Sequence, residues 1–115
     1  MEDLDVGLMR GTLDLLILKA VSWGPRHGYA IAEWIEQTSG SVLLVGEGTL
    51  YPALHRLEKQ GLVESEWGLS ENNRQAKYYR LSSDGRRRLR TGTSNWYDFV
   101  EAAGRALGAT SPAPA

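Results

Sequence analysis

The sequence predicts a mainly α-helical protein that carries one small β-hairpin, which is an α+β fold class. Apolar residues recur at helical spacing in four segments, and the third holds Leu50, Leu54 and Leu57 at intervals of four and three residues. After it, residues 62–67 and 76–81 are short strand-forming runs, joined by a polar stretch rich in loop formers. We therefore expect three helices, a hairpin and a terminal helix, in that order.

The third predicted helix has two faces of different chemistry. Its leucines share the face that is expected to bury against a core. The opposite face carries four hydrogen-bonding or charged side chains: Tyr51, His55, Arg56 and Lys59. Gly61 is placed to end the helix as its C′ residue. A basic helix face next to a hairpin with Arg74 and Lys77 beyond its tip is typical of contact with a DNA groove and its flanking phosphates.

The first helix is predicted to start from Thr12, a favourable N-cap residue. Five apolar residues then follow amphipathic spacing: Leu13, Leu16, Ile17, Ala20 and Val21. A second stripe lies on another side of the same helix: Gly11, Leu15, Leu18 and Ser22. Because two exposed leucines are unfavourable for a monomer unless another helix covers them, we interpret this second stripe as a partner surface.

The segment that follows the first helix is punctuated by glycine and proline. Residues 23–28 are predicted to form a turn, with His27 as a turn or cap residue. A second helix is expected over residues 29–38, with three side chains facing inward: Ile31, Ala32 and Ile35. Residues 41–45 are either a short strand or a buried connector.

The last long segment, residues 84–107, carries a helical apolar stripe that includes Leu89, Trp96, Phe99, Val100, Ala103 and Leu107. Low helix propensity around Gly92 leaves open whether the helix breaks there. The stripe has only the first helix or a copy of itself to pack against, so a symmetric dimer is the economical way to bury it. The expected dimer residues are Leu15, Leu18, Trp96, Phe99, Val100 and Ala103.

The order helix, helix, helix, hairpin is that of a winged helix-turn-helix. At 115 residues the chain is most simply one compact unit, too small for a catalytic cleft and a separate regulatory domain. We expect a winged-helix domain with an N-terminal arm over residues 1–85. A dimerisation helix over residues 86–108 and a disordered tail over residues 109–115 should follow.

Several classes of function are excluded by composition. The chain has no cysteine, so disulfides and thiolate metal ligands are ruled out. No apolar run approaches the roughly 20 residues of a membrane span, and the acidic N-terminus is unlike a signal peptide, so a soluble cytoplasmic protein is expected. His27 and His55 are not joined by carboxylates at ligand spacing, which argues against a metal site. No nucleophile, base and orienting carboxylate occur together, so we expect neither an enzyme nor a cofactor.

Charge is distributed unevenly along the chain. The net charge is −1, which taken alone argues against a nucleic-acid partner. Residues 74–90, however, hold seven Lys or Arg against one Asp, whereas residues 1–40 and 41–73 each have a net charge of −3. Positive charge concentrated on the hairpin and the segment after it suits local phosphate contact. The run Arg86-Arg-Arg88 is either part of that contact or a solvated helix face.

Five blocks, at compatible spacing and in order, closely resemble the PadR family of bacterial transcriptional regulators. They are Arg10-Gly-Thr-Leu-Asp-Leu-Leu-Ile-Leu-Lys19, Gly24-Pro-x-His-Gly-Tyr29, Gly48-Thr-Leu-Tyr-Pro-Ala-Leu-His-Arg-Leu-Glu58, Gly61-Leu-Val, and Lys77-Tyr-Tyr-Arg-Leu81 with Gly85. The resemblance implies a winged helix, a C-terminal dimerisation helix and a pseudo-palindromic operator. It also implies, as in many members, release by a small aromatic or drug-like effector. The single terminal helix matches the short form of the family.

The sequence thus favours a dimeric DNA-binding repressor over two alternatives, a winged-helix protein-interaction module and a small enzyme. The residues expected in or beside the major groove are Thr49, Tyr51, His55, Arg56 and Lys59. Those expected on phosphates or in the minor groove are Arg74, Gln75 and Lys77. Tyr51 either contacts DNA or packs against the hairpin, and Trp96 either fills a closed dimer core or lines an effector pocket.

Overall fold

The computed structural model describes residues 4–5 and 10–112 of the chain. In chain order its elements are β1 (Leu4–Asp5), α1 (Arg10–Ala20), β2 (Arg26–His27), α2 (Gly28–Thr38), β3 (Leu43–Leu44), α3 (Glu47–Lys59), β4 (Val63–Leu69), β5 (Gln75–Leu81) and α4 (Ser83–Leu107). Strands β2, β5 and β4 form an antiparallel sheet in that order, and β1 pairs in parallel with β3. The predicted α+β class is therefore confirmed.

The predictions for the two ends of the chain include residues that the structure does not describe. Residues 1–3 and 6–9 of the N-terminal arm, and residues 113–115 of the tail, lie outside the described residues. Residues 109–112 follow α4 without forming a helix or strand.

The core is built by α1, α2 and α3 and is closed by the inner side of the sheet. The side chains of Leu50, Leu54 and Leu57 are almost fully buried, as their spacing predicted. Burying one leucine stabilises a fold by about 1.5–3 kcal/mol, so this face strongly constrains the rotation of α3 about its axis. The other members of the buried cluster are Leu13, Ile17, Leu18, Ala20, Val21, Ile31, Ile35, Ala53, Leu62, Val63, Tyr79 and Leu81.

Helix α1 differs from the prediction at its start and on its second face. It begins at Arg10, so Thr12 lies inside the helix and is not its N-cap. The assignment of Leu18 to a partner surface was wrong, because this side chain is only 1% exposed and belongs to the core of its own chain. The apolar face of α1 is therefore wider than the five-residue pattern indicated.

Residues 26–27 form a strand where the sequence predicted only a turn. Arg26 and His27 pair with Tyr79 and Tyr78 of β5, a partner more than 50 residues away that local periodicity does not reveal. The expected cap role of His27 is confirmed, since its Nδ1 accepts a hydrogen bond from the Ala30 N–H at 3.2 Å and caps α2. The cap attaches the start of α2 to the edge of the sheet.

The predicted hairpin is present, and its strands are slightly longer than the sequence runs indicated. We call β4, β5 and the loop between them the wing. Val63 pairs with Leu81 at its base and Leu69 with Gln75 near its tip. Asn73 in the loop has φ 59°, a left-handed conformation that asparagine tolerates. Of the two alternatives for residues 41–45, the structure contains the short strand, β3.

Helix α4 runs without a break past Gly92. It is capped by Ser82, whose Oγ accepts a hydrogen bond from the Gly85 N–H at 3.0 Å. A Cβ atom on Gly92 would lie 2.5 Å from Leu15 Cδ2, so the missing side chain lets α1 approach α4 closely. Glycine here serves packing between helices. The domain boundary expected after residue 85 falls in the first turn of this continuous helix.

Among the residues that the structure describes, none of the helices has both the length and the apolar character needed to cross a membrane.

Gly85 fixes the first turn of α4 against the base of the wing. A Cβ on this buried residue would overlap the Leu62 carbonyl oxygen and lie 2.8 Å from Leu81 Cδ1. We expect Gly85→Ala to lower the free energy of unfolding by about 2–4 kcal/mol, because backbone must move. Gly48→Ala is the matched control, since a Cβ on that helical glycine meets no heavy atom within 4 Å. The measurement is urea unfolding followed by tryptophan fluorescence. Equal unfolding midpoints for Gly85→Ala and Gly48→Ala would contradict the packing role of Gly85.

Candidate nucleic-acid interface

The outer face of α3 carries the side chains that the sequence assigned to a groove contact. Because the leucines of α3 face the core, Tyr51, His55 and Lys59 are directed outward and are exposed, while Thr49 is half-buried in the first turn. Among the described residues, the imidazole of His55 and the ammonium of Lys59 form no hydrogen bond or ion pair with other side chains. These groups are free to meet an external partner.

Arg56 is held differently from its neighbours on α3. Its Nη2 lies 2.6 Å from Asp14 Oδ1 of α1, and the two side chains are 24% and 26% exposed. The sequence placed Arg56 on the free polar face with His55, but the structure places it at the edge of that face and engaged with α1. Reaching a base edge would require this ion pair to open.

Tyr51 packs against the start of α2. A Cβ on Gly28 would lie 2.8 Å from Tyr51 Oη, so the absence of a side chain at residue 28 makes room for the tyrosine ring. This contact with α2 was not among the two expected alternatives, and DNA contact by Tyr51 stays a prediction. The ring rests on α2, and the residue as a whole remains 45% exposed.

The wing carries the second group of predicted contact residues. Arg74 and Gln75 are exposed where the loop meets β5, and the Arg74 guanidinium has no ion pair or hydrogen bond within the described part of the chain. Lys77, by contrast, is half-buried, with its Nζ 3.4 Å from Glu58 Oε1 and 5.8 Å from the centre of the Tyr79 ring. Arg74 is thus an available cation, whereas Lys77 already has a partner.

Glu58 connects α3 to both strands of the wing. The Ser65 hydroxyl of β4 donates a 2.5 Å hydrogen bond to Glu58 Oε2, and Lys77 of β5 approaches the other carboxylate oxygen. The Ser65 hydrogen bond, together with Lys77 and the nearby His55, holds the Glu58 pKa below its ordinary value although partial burial opposes this. The charged carboxylate therefore holds the wing against α3.

A cleft of about 750 Å³ lies between the wing and the starts of α2 and α3. It brings together Tyr51, Arg74, Gln75 and Lys77, whereas Thr49, His55, Arg56 and Lys59 do not line it. Two exposed aromatic side chains that the sequence analysis did not select, Tyr29 and Trp67, also line the cleft. A sequence signal for Trp67 was present, because it is a large apolar residue in a strand rich in polar side chains. In the structure it pairs with Lys77 of β5.

The positive charge of residues 74–90 is only partly available to a partner. Arg80 lies 3.4 Å from Glu64 and 3.7 Å from Glu66, and Arg87 pairs with Asp84 one turn earlier. Four arginines of this segment have no ion pair within the described residues: Arg74, Arg86, Arg88 and Arg90. The free charge is therefore divided between the wing and the start of α4.

A second cleft, of about 610 Å³, lies between α1 and α4 of the same chain. Trp96 crosses it, and its Nε1 donates a hydrogen bond to Thr12 Oγ1 at 3.1 Å. Leu15 lines the cleft as well, whereas Phe99, Val100 and Ala103 do not. Leu15 and Trp96, which the sequence assigned to a contact between two copies, thus meet the opposite helix of their own chain.

No group of side chains able to hold a metal ion occurs in the described ranges 4–5 and 10–112.

The fold and the site together define the class of winged-helix DNA-binding proteins. The model of the PadR-like transcriptional regulator family matches residues 17–91, which is more than half of the chain. The protein belongs to this family and is a transcriptional regulator, as the five sequence blocks indicated. The family and the fold are those of regulators rather than enzymes.

Solved structures and a curated relative agree with this assignment. A PadR family transcriptional regulator from Eggerthella lenta is 34% identical, with 90% of this chain and 88% of that chain covered and a TM-score of 0.75. A transcriptional regulator from Clostridium thermocellum is 28% identical, with 85% and 95% covered and a TM-score of 0.77. An uncharacterised protein designated X from Lysinibacillus sphaericus is 32% identical over 94 residues, which are 82% of this chain and 86% of that protein.

Arg74 and Lys77 should contribute differently to DNA affinity. Removing a free phosphate contact reduces the slope of log affinity against log salt by about one, so we expect this for Arg74→Ala. Lys77→Ala should change the slope less, because Glu58 already neutralises part of its charge. Fluorescence anisotropy of a labelled duplex over a salt series measures both slopes. A wild-type slope in Arg74→Ala would remove the wing tip from the phosphate contact.

The Glu58 contact predicts a pH dependence of stability. A folded-state pKa below the ordinary value of 4.5 means that the charged carboxylate stabilises the fold above that pH, and that this stabilisation is lost as pH falls through the lowered pKa. Between about pH 6 and pH 3 the wild type should therefore lose more free energy of unfolding than Glu58→Gln. Glu36→Gln, which alters an exposed carboxylate of α2, is the control. Parallel loss in the wild type and Glu58→Gln would argue against the contact.

Proposed function

We propose that the protein is a homodimeric repressor that binds a pseudo-palindromic operator. One observation carries the proposal: in a chain of this family, the free polar face of α3 lies beside a wing whose Arg74 has no partner among the described residues. A helix is the element that fits the major groove, and a flanking cation suits phosphates or the minor groove. Thr49, Tyr51, His55 and Lys59 would border the bases, with Arg74 and Gln75 beside them.

Dimerisation is supported by the second half of α4. This helix has 25 residues, about 37 Å at 1.5 Å per residue, whereas α1 has 11 residues. Three large apolar side chains in this half of the helix are exposed: Phe99 at 70%, Val100 at 42% and Leu107 at 88%. Covering this apolar surface with a second copy would bury it in a two-fold interface. Ala103 would allow close approach there, and the partners would set two α3 helices about 34 Å apart.

The cleft between α1 and α4 supports an aromatic effector. Trp96 offers a ring for stacking, and its indole already satisfies its polar N–H on Thr12. Three cationic side chains line the cleft, Lys19, Arg86 and Arg90, and no carboxylate is among the described residues that line it. A planar aromatic anion therefore fits the lining better than a cation. Such a ligand would weaken operator binding to the extent that it prefers the conformation that does not bind DNA.

Selection from a random duplex pool, combined with sedimentation of the free protein, tests the core of the proposal. We expect an enriched site with two related half-sites about ten base pairs apart and a dimer at micromolar concentration. Phe99→Glu should give monomers and lose the preference for two half-sites. Trp23→Glu is the control, because Trp23 is also an exposed aromatic residue but is distant in sequence from α4, and it should have neither effect. A monomeric wild type would contradict the dimer. No enriched sequence would favour a protein-interaction module over a repressor.

The effector part requires a separate measurement. Titration with 2-naphthoate and with its cationic counterpart, 2-naphthylmethylammonium, should quench tryptophan fluorescence more strongly for the anion. Trp96→Ala should abolish the difference, leaving the background of Trp23, Trp34 and Trp67. Equal response of the wild type and Trp96→Ala would show that the cleft is not a ligand site.

A further inference from the structure

We infer that the ion pair between Asp14 and Arg56 positions α3, and that Arg56 acts on DNA specificity through Asp14 rather than by contacting a base. The inference rests on the proposed operator binding and deepens it. It assigns a role to Asp14, which carries no DNA-contact feature of its own, and a different role to Arg56 from that of its neighbours on α3.

The pair is unusual among the charge contacts of the described chain. It joins α1 to α3, whereas the other ion pairs lie within one helix, within the wing or between α3 and the wing. Its distance of 2.6 Å, with three-quarters of each side chain covered, makes it the tightest charge contact between different elements. A partly desolvated ion pair is screened less by salt than an exposed one, so it can hold two helices in register.

The apolar contact beneath the pair only weakly resists small sliding movements of α3 against the core. Leu50, Leu54 and Leu57 set the rotation of α3 about its own axis, but leucine contacts are non-directional and tolerate small sliding movements. A charged hydrogen bond has a preferred distance and angle. Arg56 lies in the last turn of α3, so its attachment to α1 fixes that end of the helix relative to the core.

Direct base reading by Arg56 would have a structural cost. The guanidinium would leave Asp14, and the largely covered carboxylate would lose its partner. His55 and Lys59, on the same helix, have no such restraint within the described residues. The geometry therefore assigns base and phosphate contact to the free side chains and orientation to the engaged one.

A double-mutant cycle measured on discrimination tests the inference. The probe is the duplex that wild type enriches from a random pool, and the readout is the affinity ratio between it and a shuffled duplex of equal length. We expect Asp14→Asn and Arg56→Ala each to lower this ratio by about tenfold, and the double variant to be no worse than either one. Arg56→Lys should keep most of the ratio, because lysine can still reach Asp14.

Base reading by Arg56 predicts the opposite pattern. Asp14→Asn would then release Arg56 and leave the ratio intact, while Arg56→Lys would lose bidentate contact and the preference at one base pair. Either of these two results overturns the inference, as does a wild-type ratio in every variant. Glu36→Gln controls for net charge, because Glu36 is exposed and forms no ion pair among the described residues. This variant should keep the wild-type ratio.

Two further readouts separate failure of folding from failure of the inference. Circular dichroism and urea unfolding of each variant show whether it is folded under the binding conditions. If Arg56→Ala does not fold, Arg56→Lys and Asp14→Asn are sufficient to test the inference. If wild type enriches no sequence, the proposed function fails. The cycle is then read in unfolding free energy, where additive effects of the two substitutions would overturn the helix-to-helix link itself.

Discussion

The burial of one face of α3 is the constraint on which the rest of the structure depends. Leu50, Leu54 and Leu57 can enter the core only in one rotation of the helix, and that rotation turns His55 and Lys59 outward. Burial of the leucines thus determines which side chains of α3 are exposed to a DNA groove, although this burial does not itself involve DNA. Polar contacts refine this placement: Glu58 holds the wing at one side, and Asp14 holds Arg56 at the other.

Helix α1 has a central place in this arrangement. It contributes to the core, meets α3 through Asp14 and meets α4 where Leu15 lies over Gly92. Helix α1 therefore contributes to both sites: it holds α3 through Asp14, and its side chains line one side of the α1–α4 cleft. A change in the packing of α4 on α1 has a short physical route to α3, through one ion pair and the leucine face.

Much of the fold was predictable from the sequence because its signals are local. The spacing of leucines, the loop formers between two strand runs and the glycine after α3 each depend on a few neighbouring residues. The family followed from the five blocks. The contacts that local patterns could not give are those between distant residues, such as β2 on β5 and Asp14 on Arg56, which are 42 positions apart. Leu18 was misjudged and the effect of Gly92 was left open for a related reason, since burial and close packing depend on which helix lies opposite.

The most direct test of the account is amide NMR of the protein titrated with the duplex that it selects. The account predicts that the largest shifts fall on the exposed positions of α3, at His55 and Lys59, and on the wing near Arg74. The Trp23 and Trp34 region should shift little. Shifts confined to the arginines at the start of α4, with α3 unperturbed, would contradict the claim that the buried face of α3 sets the DNA-binding surface.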